Sequence, residues 1–174
     1  MAGDAYETIV LGGGCFWCTE AFFRTVAGVV TVTPGYAGGF VSNPTYREVC
    51  DGATGHAEVV EVGFDPREVS LEEILEVFFS THDPTSLNRQ GADVGTQYRS
   101  IILYTDEAQR DRVERFIDSI REDYERPIVT EVKRLERFFP AEEHHHRYYE
   151  RNPDQPYCRA VIAPKLARLR GKKD

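Results

Sequence analysis

The sequence predicts an α+β domain, on three observations. Segments that alternate apolar and polar residues, the mark of half-buried strands, recur along the chain, most clearly over residues 57–64. Amphipathic helical stripes with recognisable caps are interleaved with them. The order is strand, helix, strand, strand, helix, strand, then a further helix and strand, which packs as helices against one sheet. At 174 residues a single core buries roughly two-thirds of the unfolded surface, so residues 1–174 are read as one domain.

Each element has a local cause. The first strand, residues 6–11, is the run around Thr8, Ile9 and Val10, stopped by Gly12, Gly13 and Gly14. A helix opens at Cys15 and runs to about residue 25. A second strand, residues 29–33, ends in the turn cluster Pro34, Gly35, Tyr36, Ala37, Gly38 and Gly39, and a loop with Asn43 and Pro44 follows. The strand at 57–64 is broken by Asp65 and Pro66. Ser70 and Glu73 then form a capping box ahead of Leu71, Ile74, Leu75, Phe78 and Phe79, which share one helical stripe. His82, Asp83 and Pro84 end that helix. Residues 85–97 are polar and contain glycine, a long loop that a packed domain keeps for function. Residues 99–104 form a strand, and Asp106 caps a helix with Val113, Phe116, Ile117, Ile120 and Tyr124 on its apolar face, ended by Pro127. Residues 128–135 alternate again. Beyond Pro140 the pattern fades into a short helical stretch and an irregular, extended, basic tail, residues 154–174. The expected architecture is a two-layer α/β sandwich with a ferredoxin-like core, an additional helix and strand, and that tail.

The formal charge of −8 and pI near 5.2 argue against nucleic acid, whose phosphates need clustered Lys and Arg. The apolar stretches fall far short of a membrane span, and the N-terminus carries acids where a signal peptide carries bases. A cytoplasmic location is therefore expected. Four cysteines in such a chain point to catalysis, metal binding or buried thiols rather than to a disulfide framework.

The run from Gly12 to Glu20 holds the densest chemistry. A cysteine between a glycine turn and a helix start faces backbone N–H groups that have no internal partner, and these favour a thiolate. Cys15 is thus expected to have a lowered pKa. Cys18 lies one helical turn away, close enough to close a disulfide. With Phe22, Phe23 and Val26 extending the cysteine stripe toward the core, Phe16 and Trp17 project beside the thiol, at the surface or in a cleft, as an apolar socket.

On the strand at 57–64, Glu58 shares a face with Val60, Val62 and Phe64. Buried there, its carboxyl has a raised pKa and serves as a proton donor; at the strand end, it simply reaches water. Tyr46 and Tyr98 have hydroxyls able to donate to an oxygen, though each alone reads as a surface tyrosine. Asp93 alone reads as a turn-former. Cys50 reads as buried packing, Cys158 either as a mobile partner for a distant sulfur or as an idle surface thiol. The run His144, His145, His146 reads as a solvated face, because neighbouring side chains on a helix splay apart.

Gly14, Cys15, Phe16 and Trp17, joined to Gly55, His56, Ala57 and Glu58 and to Asp93 with Gly95, Thr96, Gln97, Tyr98, Arg99 and Ser100, resemble the A-type peptide methionine sulfoxide reductases. The likeness continues from Asn43 through Cys50 and from Ala141 and Glu142 through His145 and Tyr148 to Asn152 and Pro153. It implies that Cys15 is the nucleophile attacking the sulfoxide sulfur. Glu58 protonates the oxygen, and Tyr46 and Tyr98 hydrogen-bond it. Phe16 and Trp17 hold the substrate methyl group, with Asp93 a polar contact beside it. The products are methionine and a Cys15 sulfenic acid, which a second thiol converts to a disulfide for an external reductant to reopen.

The resemblance further implies the S epimer of methionine sulfoxide in proteins or peptides as substrate, thioredoxin as electron donor, and neither metal nor bound organic cofactor. Many members have glycine where Cys18 stands, and many carry a glycine-rich tail with the recycling cysteine. Here Tyr157 and Cys158 match the first tail cysteine, while Arg159, Ala160, Val161 and Ile162 replace the glycines. Cys158 and Cys18 are both candidates for the resolving thiol. Two other readings use the same residues: a thioredoxin-like thiol–disulfide oxidoreductase with Cys15 and Cys18 as its pair, and a zinc-stabilised module of Cys15, Cys18, Cys50 and Cys158.

Overall fold

A computed structural model of the chain describes residues 6–173, with side chains through residue 168. It is an α+β fold built on six strands. In chain order the elements are β1 (Glu7–Gly12), α1 (Phe16–Phe23), β2 (Val29–Ala37), α2 (Tyr46–Cys50), β3 (Ala57–Phe64) and α3 (Leu71–Ser80). A two-stranded hairpin, β4 (Arg89–Gln90) and β5 (Asp93–Val94), precedes β6 (Ile101–Tyr104), α4 (Glu107–Ile120), β7 (Glu131–Arg134) and β8 (Phe138–Pro140). The chain ends with α5 (Tyr148–Arg151), a wide helical stretch at Cys158–Ile162 and α6 (Ala163–Lys173).

The main sheet has the order β7-β6-β1-β3-β2-β8 and is antiparallel except for the β6–β7 pair. Its edge strands β7 and β8 are joined by residues 135–137 alone. Strands lie ~4.8 Å apart, so a flat sheet of this order would part its edges by ~24 Å, beyond the ~14 Å that such a connector spans. The sheet is therefore curled. Its inner face closes a small core of Val10, Ala37, Ala57, Val59, Ile101 and Leu103, with Leu135 and Phe138 against it.

The outer face carries the main core. Ile9, Leu11, Val60, Val62 and Phe64 meet Phe22 and Phe23 of α1, Ile74, Leu75 and Phe78 of α3, and Val113 and Ile117 of α4. The expected caps form: Ser70 with Glu73 as a reciprocal box, and Asp106 accepting from the Gln109 N–H.

Besides the short strand β8, which the sequence reading does not foresee, the fold departs from that reading in four places. First, β2 does not stop at residue 33 but runs through Pro34 and Gly35 to Ala37, because Gly35 lets β8 approach; a Cβ there would sit 2.5 Å from the Phe139 carbonyl oxygen. Second, the segment after Pro44 is helical: Thr45 and Glu48 form a second capping box at α2. Third, the loop at 85–97 contains the β4–β5 hairpin and a 3₁₀ turn, Thr96–Tyr98.

Fourth, the tail is not irregular. Cys158, Ile162 and Leu166 are four residues apart and all buried, an anchoring stripe against the main core. The wide turn at Cys158–Ile162 precedes Pro164, whose missing N–H interrupts the ordinary ladder before it resumes as α6. No helix among the described residues is long and apolar enough to cross a membrane.

Candidate active site

At the end of β1, Gly14 adopts φ +96°, a conformation that favours glycine, and its N–H donates to the Tyr98 carbonyl at 3.2 Å. This turn delivers Cys15 as the N-cap of α1, where its own carbonyl accepts from the N–H groups of Cys18 and Thr19. The side chain is buried, 7% exposed. Burial pushes its pKa well above the ordinary thiol value, and nearby Glu58 and Cys18 add to the rise. The Trp17 N–H pulls the other way and loses. The thiolate expected from the helix start is therefore absent at rest, because desolvation outweighs the helix terminus.

Glu58 settles the choice between strand end and buried acid: it is 1% exposed. One carboxylate oxygen, Oε1, accepts the Phe16 N–H at 3.1 Å. The other, Oε2, is buried with no hydrogen-bond partner. Burial raises the pKa to about 8, against the lowering effect of the Phe16 N–H. Near neutral pH the site thus holds a protonated carboxyl with one uncommitted oxygen beside a protonated thiol.

Tyr46 opens α2 and Tyr98 closes the 3₁₀ turn, and both are half-buried against the main core. Burial first, and the Glu58 charge second, hold both phenols far into their protonated form. Each is a donor. Phe16 is wholly buried, with its ring 6.1 Å from Tyr46 and 5.7 Å from Tyr36. Its projection toward surface or cleft is corrected: α1 is covered by the sheet on one side and by the C-terminal helices on the other, so nearly its whole circumference is interior. Trp17 is partly exposed and stacks on Tyr148 at 3.8 Å and 8°.

Cys18 and Cys158 are both buried. The Cys18 pKa is pushed up to about 11 by burial, with the Tyr157 hydroxyl and the Lys165 charge moderating the rise. Tyr157 lies 3.5 Å from the Cys18 sulfur and donates to Asp93 Oδ2 at 2.8 Å. The residue before Cys158 is thus tied to both Cys18 and the hairpin. Cys158, fully buried, is not an idle surface thiol, and the Cys18 and Cys158 thiols lie within electrostatic reach of each other. All four cysteines are free.

The sequence profile of one family, described as peptide methionine sulfoxide reductase, matches residues 7–174. The chain belongs to that family. It is 56% identical over 164 residues to the peptide methionine sulfoxide reductase MsrA of Haloquadratum walsbyi, covering 94% of each chain. Among solved structures it superimposes on Mxr1 of Saccharomyces cerevisiae in reduced form with TM-score 0.85, at 34% identity, covering 89% of this chain and 90% of that one. It matches Mxr1 in complex with Trx2 with TM-score 0.61, at 25% identity, covering 83% and 86%. These similarities place it among the A-type reductases.

In this reductase some supporting residues escape a residue-by-residue reading. Glu142 accepts from the Tyr36 hydroxyl and the Tyr46 N–H, both at 2.8 Å, so it fixes the helix that presents Tyr46. His145 is not on a solvated face. It is 3% exposed, accepts the Trp17 indole N–H at Nδ1 and lies 4.4 Å from Tyr46, with its pKa lowered to about 4 chiefly by burial. His144 does splay outward and is exposed, and the three-residue spacing from Glu142 to His145 is the signal in the sequence for the inward one.

Cys50 is only half-buried rather than core packing; Val49 takes the buried position of α2, and the Cys50 thiol pairs with the Tyr46 side chain. Among the described residues no group of three or more His, Cys, Asp or Glu side chains is arranged to hold a metal ion.

Proposed function

We propose that this reductase converts methionine-S-sulfoxide in oxidised proteins and peptides to methionine, with Cys15 as nucleophile and Glu58 as acid. The observation that supports the reading most is the uncommitted Oε2 of a protonated Glu58 beside the Cys15 thiol. Glu58 gives its proton to the sulfoxide oxygen as the Cys15 sulfur bonds to the substrate sulfur. The carboxylate so formed takes the thiol proton, supplying the base that the resting site lacks. The bond between the two sulfurs and the substrate S–O bond then break as the hydroxyl passes to the Cys15 sulfur, so that one thiol plus one sulfoxide become one sulfenic acid plus one sulfide. Tyr46 and Tyr98 donate to the oxygen as charge develops on it. Trp17 receives the methyl group, the buried Phe16 ring backs that apolar wall beside Tyr46, and Asp93 is a polar contact beside it.

Cys18, one turn along α1, condenses with the sulfenic acid to release water and close a Cys15–Cys18 disulfide. Cys158 then exchanges onto Cys18, and thioredoxin reopens the resulting bond, as the likeness to a thioredoxin-bound yeast relative supports. The steps need neither metal nor organic cofactor. We place this repair in the cytoplasm, and read the strand order β6-β1-β3-β2 as a ferredoxin-like core within a single catalytic domain.

Epimerically pure sulfoxide peptides test the function: the S peptide should be consumed and the R peptide spared, and an untouched S peptide overturns the proposal. Efficient reduction of insulin disulfides with the sulfoxide untouched would establish the thioredoxin-like reading instead. For the resolving steps, Cys18→Ser and Cys158→Ser should each keep turnover with dithiothreitol and lose most of it with thioredoxin. Equal loss with both reductants contradicts a resolving role.

A further inference from the structure

Two adjoining cavities, of about 230 and 450 Å³, share Thr81, Gln90, Gly91, Lys165 and Arg168. The first reaches Cys15 and Cys18, and the second extends to Ser80 and Asp83. Together they form one groove that leads from the reactive thiol between the β4–β5 hairpin and α6.

The charge of this groove runs against that of the chain. Lys165 and Arg168 stand three residues apart on α6, on one helical face. Among the described residues neither is ion-paired. The two carboxylates along the groove are already engaged: Asp83 by the Thr85 N–H and hydroxyl and by Arg126 at 3.3 Å, Asp93 by Tyr157. A chain of formal charge −8 thus presents two unopposed cations beside its nucleophile.

We propose that the groove binds the polypeptide flanking the oxidised methionine and selects acidic side chains there, which pair with Lys165 and Arg168. This rests on the reading of Cys15 as the site of sulfoxide attack. Lys165 and Arg168 line the same 230 Å³ cavity as Cys15, which sets the favoured acids about two to four residues from the methionine in an extended chain. A concave groove between a hairpin and a helix suits a single extended strand. A folded reductant offers it only a protruding loop.

The test uses S-sulfoxide peptides that carry Glu or Lys two to four residues to either side of the methionine, with dithiothreitol as reductant. The Glu peptides should show a KM about tenfold below that of the Lys peptides at low salt, with the gap narrowing as salt rises. Lys165→Glu with Arg168→Glu should reverse the preference. Arg168→Glu alone, on an exposed position of α6, should reduce it. Equal KM values for both peptides overturn the groove while leaving the chemistry of Cys15 intact.

Binding of the same peptides to Cys15→Ser, followed by calorimetry, separates the two readings. Tighter binding of the Glu peptide without turnover by the parent chain would retain the groove and remove the sulfoxide chemistry. A double variant that alters only the KM for thioredoxin assigns the surface to the reductant and overturns the proposal.

Discussion

Cys15→Ser should abolish methionine formation from a sulfoxide peptide, by roughly 10⁴-fold or more, with dithiothreitol and thioredoxin alike. A hydroxyl in that position keeps the N-cap geometry but cannot take oxygen from sulfur. The residue makes no side-chain capping bond, so the substitution leaves the helix start intact. Independence from the reductant is the telling part. A thiol that acts only in recycling still delivers one methionine per enzyme before it is needed, whereas the nucleophile delivers none. Methionine formed per active site without external reductant distinguishes them: about two for the parent chain, whose Cys15 is freed once when Cys158 exchanges onto Cys18, about one for Cys18→Ser and Cys158→Ser, and none for Cys15→Ser. A stoichiometric burst from Cys15→Ser would move the attack to another sulfur.

Much of this site was legible in sequence because its parts obey short-range rules. Glu58 could be placed on the apolar face of β3 from alternation alone, and the structure puts it there with its side chain 1% exposed. The Ser70 and Asp106 caps follow from local chemistry and form as expected. What failed depended on tertiary cover. A helix start favours a lowered pKa at Cys15, but helices packed over α1 desolvate the thiol.

The same cover buried Phe16 and ordered the tail, whose stripe at Cys158, Ile162 and Leu166 was present in the sequence but interrupted by Pro164. Gly35 reads locally as a turn, and only the approach of β8, about a hundred residues later in the chain, makes it a strand residue. His145 shows the limit of judging a run as a unit: one histidine of three turns inward, toward a ring and an indole that no local rule connects to it.

Glu58→Gln should slow the reductive step by about 10²- to 10⁴-fold, and its pH dependence carries more information than its size. In the proposed reaction the donor is the protonated carboxyl, fully present well below pH 8 and lost as pH rises through about 8. The single-turnover rate should fall over that range. Glutamine has no proton to lose, so the variant should lack the falling limb and instead speed up with pH as the Cys15 thiol ionises. A parent rate that stays level from pH 6 to 9 would remove the acid role.

Stability should move with the same group. Unfolded, Glu58 releases its proton near the ordinary carboxyl value of ~4.3, and folded it keeps it up to about 8. Between those values the folded chain binds more protons than the unfolded one, so the contribution of Glu58 to stability declines as pH rises. Urea unfolding from pH 5 to 8 should therefore show a steeper loss for the parent than for Glu58→Gln. The carboxyl proposed as the proton donor thus weakens the fold as pH rises toward 8, and equal slopes would mean that the unpartnered oxygen is hydrated rather than held dry for substrate.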